Sequence, residues 1–194
     1  MIQIRVHGRG GQGVVTAAEL IALAAFNEGS FAQAFPVFGV ERTGAPIQSF
    51  VRLSDKTISS REQIYEPDVL IIQDASLLST INVFSGTNSK TQVIINSALS
   101  PSVIYQEIKK TNQAKAWPKL LIKETNIFTS PATEIALEIF KKNIVNTVML
   151  GTLARYTKLI GLASIKKAIE IKFAGKNEEI ISQNIKAALR AFSL

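Results

Sequence analysis

The sequence predicts an α/β fold: a three-layer Rossmann-like domain with a largely parallel sheet and a helical C-terminal region. Three observations carry this. Residues 69–73 and 92–96 are short, almost purely apolar runs, as in strands buried on both faces of a parallel sheet. Residues 2–7 read as a strand that runs into glycines and then into an apolar helix, the order of a β–turn–α unit. Strand and helix patterns alternate early and helices accumulate late, which favours a sheet layered with helices.

The elements follow in order. Residues 2–7 alternate apolar and polar side chains, as a strand does. Residues 14–27 are apolar nearly all round, predicting a helix buried on several sides, and Gly29 suits its C-terminal stop. Residues 30–38 mix aromatic and small residues with Pro36, the composition of an edge strand. Residues 39–46 read as a loop and 47–53 as a strand, with a turn at 54–56 returning the chain at Thr57 and Ile58. Ser100 and Pro101 supply an N-cap and a first-turn proline for a helix to about Lys110. Residues 120–123 read as a further strand. Ser130 and Pro131 open a helix to about Lys142, and residues 146–160 form another with Gly151 inside it. Ser164 caps the next, which Gly175 ends, and residues 178–191 form the last. No linker or repeat interrupts the pattern, so 1–194 reads as a single domain.

Composition narrows the function. Of the residues, 46% are apolar and 19% charged, enough for a core and too apolar for general disorder. The longest apolar stretch, from Val14 to Phe26, contains Thr16 and Glu19 and falls short of the roughly 18–20 apolar residues of a membrane span. The first residues lack the basic start, apolar block and small-residue cleavage site of a secretory signal. A cytoplasmic location with no membrane partner is expected. There is no cysteine, and His7 is the only histidine. Disulfides, cysteine-ligated clusters and thiolate zinc sites are excluded, and a histidine-rich metal site or Ser–His–Asp triad is disfavoured. No catalytic residue and no metal ligand set is expected on this chain. The net charge of +7 points to an anionic partner. The lysines of the second half, however, alternate with apolar residues at helical spacing, as on solvated helix faces. No aromatic–basic stacking surface is visible, so nucleic acid is not expected as a partner.

Gly8-Arg9-Gly10-Gly11-Gln12-Gly13 satisfies the G-x-G-x-x-G spacing between a predicted strand and a predicted helix. In that motif Gly8 allows the tight turn, Gly10 admits a phosphate to the backbone, and Gly13 lets helix and strand pack closely. The amides opening the helix would face an anion. Two absences argue against dedicated NAD chemistry. No acid ends the second strand, since Glu28 lies in the turn before it, and the lysine and Ser/Thr of a P-loop are missing after Gly13. A phosphate-bearing ligand and a purely structural or interface role both stay open at this point.

Other residues carry paired readings. Arg9 would reach a phosphate or project into solvent, the latter being favoured; Gln12 would bond a ligand or a neighbouring loop. His7 is expected to be half-buried and hydrogen-bonded. Asp74, ending a buried strand, would cap the following turn or face a ligand crevice. Arg42 sits in a loop between Glu41 and Gly44, placed to bind an anion, lock a subunit interface, or pair with Glu41. Phe35, Phe38 and Phe50 read as core or subunit contacts. Gly151 permits close helix packing at a cost of about 1 kcal/mol relative to alanine.

Gly8-Arg-Gly-Gly-Gln-Gly-Val-Val-Thr-Ala-Ala-Glu-Leu20 resembles the opening of the gamma subunits of 2-oxoacid:ferredoxin oxidoreductases. The resemblance continues through Gln33-Ala-Phe-Pro-Val-Phe-Gly-Val-Glu-Arg42 and Gly44-Ala-Pro46, and returns at Asp68, Asp74 and Asn146-Thr-Val-Met-Leu-Gly151. The segment from Phe38 to Pro46 is most similar to the pyruvate type. Thr43 departs from it, because relatives tend to carry Arg or Gly there; any anion contact made by a second arginine is lost. The resemblance implies that pyruvate or a related 2-oxoacid is decarboxylated on thiamine diphosphate, with electrons passing through iron–sulfur clusters to ferredoxin and the acyl group to coenzyme A. It implies alpha, beta and delta partner subunits that hold thiamine diphosphate, magnesium and the clusters. This chain would be inactive alone, with a contribution to coenzyme A binding at Gly8, Arg9, Gly10, Gly11, Gln12, Gly13 and Arg42. The residues by themselves also admit a free-standing Rossmann-type nucleotide-binding module.

Overall fold

Strand alternation and burial arrange the chain around one six-stranded sheet. The structure, a computed structural model, describes residues 1–37, 43–115 and 117–194. In chain order its elements are β1 (Ile2–Arg9), α1 (Val14–Asn27), β2 (Phe31–Pro36), β3 (Pro46–Ser54), β4 (Val69–Ile72), α2 (Leu77–Thr80), β5 (Gln92–Asn96), α3 (Pro101–Ala114), β6 (Ile127–Ser130), α4 (Ala132–Phe140), α5 (Asn146–Thr157), α6 (Leu162–Lys172) and α7 (Glu178–Phe192). The strand order is β2-β3-β1-β4-β5-β6. β1, β4, β5 and β6 pair in parallel, while β3 runs antiparallel to both β1 and β2. The sheet is therefore largely parallel in direction, with β3 alone reversed. β3 takes the place beside β1 that the second parallel strand holds in a dinucleotide fold, and β2 is displaced to the edge. Pro36 costs no ladder bond there.

Successive side chains point to opposite faces and give each face its own core. On one face Ile4, Val6, Val51, Val69, Ile71 and Ile94 pack with residues of α1 and α4 to α7 such as Leu20, Ala136, Leu150, Ile169 and Ala188. On the other, Leu70, Ile72, Val93 and Ile95 pack with Leu77 of α2 and Ile104 and Ile108 of α3. Over β1 and β3 the second face carries Arg5, His7, Phe50 and Arg52, all buried. The Arg5 guanidinium donates to the carbonyls of Ile64 at 3.3 Å, Tyr65 at 3.2 Å, Val83 at 2.9 Å and Ser85 at 2.6 Å. Two loops are thereby tied down over the sheet. Arg52 donates to the Glu62 carbonyl and lies over the Phe35 ring, which packs 5.2 Å from Phe50 between ring centroids.

The helical half is built around α5, buried continuously from Asn146 to Ala154. A Cβ on its Gly151 would lie 2.0 Å from the Ala188 carbonyl oxygen, so glycine is what allows α5 and α7 to meet.

Several local expectations need correction. No strand forms at 120–123, where Ile122 and Leu120 pack into the α2–α3 core instead; the sixth strand is β6. Thr57 and Ile58 do not return as a strand, and the chain beyond them is held by Arg5 and Arg52. Ser130 ends β6 rather than capping α4, which starts behind Pro131 without a side-chain cap. Helix α6 starts before Ser164. Its leading amide, on Gly161, donates to Glu28 Oε1 at 2.6 Å, so a carboxylate at the end of α1 satisfies it from 133 residues away. Helix α3 runs past Lys110 to Ala114, and α5 stops at Thr157. Phe38, Glu41 and Arg42 lie outside the described residues.

Candidate functional site

The carboxyl edge of the sheet divides between β1 and β4. After β1 the chain joins the α1 face, and after β4 it joins the α2 face. Strand ends whose connections part in this way leave a crevice, the usual ligand position of open α/β sheets. The glycine loop and the 74–76 turn line it.

The structure brings Gly8 to Gly13 together with Asp74, though the roles of the glycines differ from the motif. A Cβ on Gly8 would meet Val14 Cγ2 at 2.5 Å, so this first glycine is the one that lets α1 pack on β1. Gly13 is left-handed, with φ 75°, and a Cβ there would lie 2.7 Å from Asn146 Nδ2. It seats the loop against the start of α5. Gly10 is pinned to the chain that follows Arg42: its amide donates to the Ala45 carbonyl at 2.9 Å, and its carbonyl accepts from the Gly44 amide at 3.1 Å.

Arg9 does not project into solvent as expected. Its Nε is 3.3 Å from Asp74 Oδ2, and its guanidinium donates to Ser76 Oγ and to the Gly44 carbonyl. Gln12 braces the same turn, accepting from the Arg9 amide and donating to Asp74 Oδ2, both at 2.8 Å. Asp74 also accepts from the Ser76 amide and hydroxyl. Burial would raise the Asp74 carboxyl, but the bonds from Ser76 and Gln12, with the Arg9 charge, hold it below its ordinary value. Asp74 is thus both the cap of its turn and the anchor of the glycine loop. With Arg9 committed internally, an anion at this site would be held chiefly by backbone amides. Among the described residues no acceptor takes the amides of Gly11 and Gly13, which lead into the partly positive N-terminus of α1.

Two cavities flank the loop. One, of about 180 Å³, is polar and is lined by residues including Gln12, Gln73, Asp74, Asn96 and Thr133. Asn96, at the end of β5, donates to the Gln73 carbonyl and to Thr133 Oγ1 and accepts from the Thr133 amide, joining two strand ends to α4. The other, of about 410 Å³, lies against Gly11 and Gly13 and includes Phe140, Lys142, Asn146, Phe173 and Ile180 in its walls. Sequence reasoning missed this second cavity. Apart from Thr16, its remaining walls come from segments more than a hundred residues beyond the loop, and nothing local in Phe140 or Ile180 separates them from ordinary helix residues.

His7 is fully buried rather than half-buried, with neither ring nitrogen hydrogen-bonded among the described residues. Burial, and then the charge of Arg5, push its pKa down to about 3. It is neutral at physiological pH. Among the described residues no cluster of three metal-ligating side chains occurs, and no helix is long and apolar enough to cross a membrane.

The family model described as pyruvate ferredoxin/flavodoxin oxidoreductase matches residues 3–194. The chain belongs to this family. The gamma subunit common to the pyruvate and ketoisovalerate oxidoreductases of Thermococcus kodakarensis is 45% identical over 193 residues, covering 100% of this chain and 96% of the relative. Subunit PorC of the pyruvate synthase of Methanocaldococcus jannaschii is also 45% identical over 193 residues, with the same coverage. The crystal structure of the pyruvate oxidoreductase subunit PORC from Thermotoga maritima has a TM-score of 0.79 at 34% identity, covering 99% of this chain and 95% of that one. The resemblance read from the glycine loop and the 33–46 segment holds along the chain: this is a gamma-type subunit of a 2-oxoacid:ferredoxin oxidoreductase.

Proposed function

We propose that this gamma subunit serves a cytoplasmic, thiamine diphosphate-dependent oxidoreductase that converts pyruvate and coenzyme A to acetyl-CoA and CO₂ while reducing ferredoxin. Its own share is to build the complex and to position coenzyme A. The observation that carries the second part is the crevice at the ends of β1 and β4. There the amides of Gly11 and Gly13 open α1, Arg9 is tied to Asp74, and an apolar cavity with exposed Lys142 begins beside the same two glycines. A ligand with a pyrophosphate and a large uncharged portion matches that combination, and coenzyme A is such a ligand. Gly8, Gly10 and Gln12 shape the cradle rather than touch the phosphates; Arg42, outside the described residues, would add a cation for the same ligand.

The partners supply the rest. Thiamine diphosphate provides the electron sink for decarboxylation, and its site, with magnesium, belongs to the alpha and beta subunits. The clusters belong to the delta subunit, since this chain has no cysteine to ligate them. The name of the Thermococcus relative, a gamma subunit common to two oxidoreductases, supports leaving the choice of 2-oxoacid to other chains. Gentle affinity purification of this chain from its native cell tests the assignment. Recovery of three partner chains with iron, thiamine diphosphate and pyruvate-dependent ferredoxin reduction is the expected result. A colourless chain recovered alone, under conditions that preserve complexes, would refute it.

A further inference from the structure

The two edges of the sheet are finished differently. β6 has four residues, whereas β2 presents a six-residue edge, Phe31-Ala-Gln-Ala-Phe-Pro36, without a charged side chain. Natural proteins blunt exposed edges with charges, prolines, bulges or very short strands, because unpaired amides and carbonyls recruit another strand. In β2 only Pro36, at the end, does so. The ladder with β3 fixes which groups face outward. The Val37 amide donates to the Gln48 carbonyl, in step with the β2–β3 register. Antiparallel pairs alternate between hydrogen-bonded and non-bonded residues, so Phe31, Gln33 and Phe35 bond to β3, and Ala32 and Ala34 turn their amides and carbonyls outward. Those groups have no partner among the described residues. Pro36 has no amide, and the Ser30 amide is given to the Ala25 carbonyl. The edge therefore offers two donors, placed symmetrically about Gln33. The Gln33 carboxamide itself makes no hydrogen bond among the described residues, and its Oε1 is buried. Phe31, on the same face as Gln33, is 48% exposed.

We propose that β2 pairs antiparallel with β2 of a second copy of this chain, across a two-fold axis at Gln33. In this register Ala32 and Ala34 of one copy face Ala34 and Ala32 of the other as hydrogen-bonded pairs, so all four outward donors find carbonyls. The two Gln33 carboxamides meet on the axis, where each can donate to the other's oxygen. Phe31 lies opposite Phe35 of the second copy, an aromatic cross-strand pair on the same face. A strand from a different subunit would require no donor pattern symmetric about one residue, and that symmetry is what selects a second copy. The contact is isologous and closes on itself, giving a pair of gamma subunits rather than a fibre. It does not depend on where coenzyme A binds.

The test uses the assembled complex, rebuilt with Gln33→Cys or Phe31→Cys in this cysteine-free chain and then oxidised. On the axis the two Cα atoms at position 33 stand about 4.5 Å apart, within reach of a disulfide. At position 31 the two copies are offset by about 13 Å along the strands, out of reach. Random collision would favour position 31, the more exposed of the two. The expected result is a gamma–gamma disulfide on a non-reducing gel for Gln33→Cys, with at least about tenfold less for Phe31→Cys. Equal crosslinking of both, crosslinking of Gln33→Cys to another subunit, or none in a folded complex overturns the proposal. A second measurement is independent of the cysteine variants. Sedimentation equilibrium of the full chain should show a dimer, and Phe31→Lys, at an exposed position, should raise its dissociation constant about tenfold through the two lost aromatic pairs. A monomer at every concentration, or a dimer indifferent to Phe31→Lys, also overturns it.

Discussion

The two faces of β1 are covered in opposite ways. Ile4 and Val6 meet a helical layer through apolar packing alone, whereas Arg5 and His7, on the same strand, lie under loops held by a guanidinium. The first arrangement depends on side-chain volume and tolerates small changes of shape. The second depends on satisfying particular carbonyls, and one lost donor leaves several buried acceptors without a partner. A single strand thus carries positions of both kinds.

The sharpest way to break this comparison is Arg5→Met. Burial already brings the Arg5 pKa down to about 10, yet the charge is retained, and its removal exposes no compensating partner. Urea unfolding should show a loss of about 3–5 kcal/mol; a loss below about 1 kcal/mol would mean the loops hold themselves. On the helical face, Gly151→Ala tests packing. Alanine favours the helix by about 1 kcal/mol, but its methyl would meet the Ala188 carbonyl, and a net destabilisation of about 1–3 kcal/mol is expected in the same assay. A gain in stability would show that α5 and α7 can part at little cost.

His7 provides a pH test of the loop-covered face. Its folded pKa lies at about 3, below the ordinary 6.5. Between those values the unfolded chain takes up a proton that the folded chain refuses, so stability falls as pH falls. Relative to His7→Leu, the parent should lose about 1 kcal/mol per pH unit between roughly pH 6 and pH 4; parallel curves would contradict its neutral burial. The smallest effect belongs to Asp74→Asn at the crevice. The Asp74 carboxyl is held below its ordinary 3.8, so its contribution is present above that value and disappears as pH falls through the folded pKa. Because its side chain is 20% exposed, a loss of about 1 kcal/mol or less at pH 7 is expected from thermal unfolding, shrinking as pH falls below 3.8 and through the folded pKa.

The same contrast explains how far the sequence could be read. The strands at 69–72 and 92–96 are legible because both their faces are apolar, and α1 because its residues are apolar all round. Gly151 is legible because glycine inside a helix has few other uses. In β1 the alternation of Gln3, Arg5 and His7 with apolar neighbours looks like a solvent-facing side, and only tertiary structure shows loops closing over it. Strand β6 has four residues, too few for a period to emerge. At the site the glycine loop announces itself, since its turns are set by local backbone geometry. The fixing of Arg9 by Asp74 and the Asn146 cavity arise from residues far apart in sequence, and no local signal marks them.

In the function proposed above, the amides opening α1 hold coenzyme A for a reaction completed on other subunits. The most direct test is the steady-state KM for coenzyme A in a complex rebuilt with Gly11→Asp. Among the described residues a Cβ there meets only Thr43 Cγ2, at 4.0 Å, although the left-handed φ of 94° strains any side chain, so folding is verified by thermal unfolding. A rise in the coenzyme A KM of about tenfold, equivalent to about 1.4 kcal/mol, with the KM for pyruvate unchanged, is the predicted result. An unchanged KM for coenzyme A in a folded, assembled complex would contradict the account.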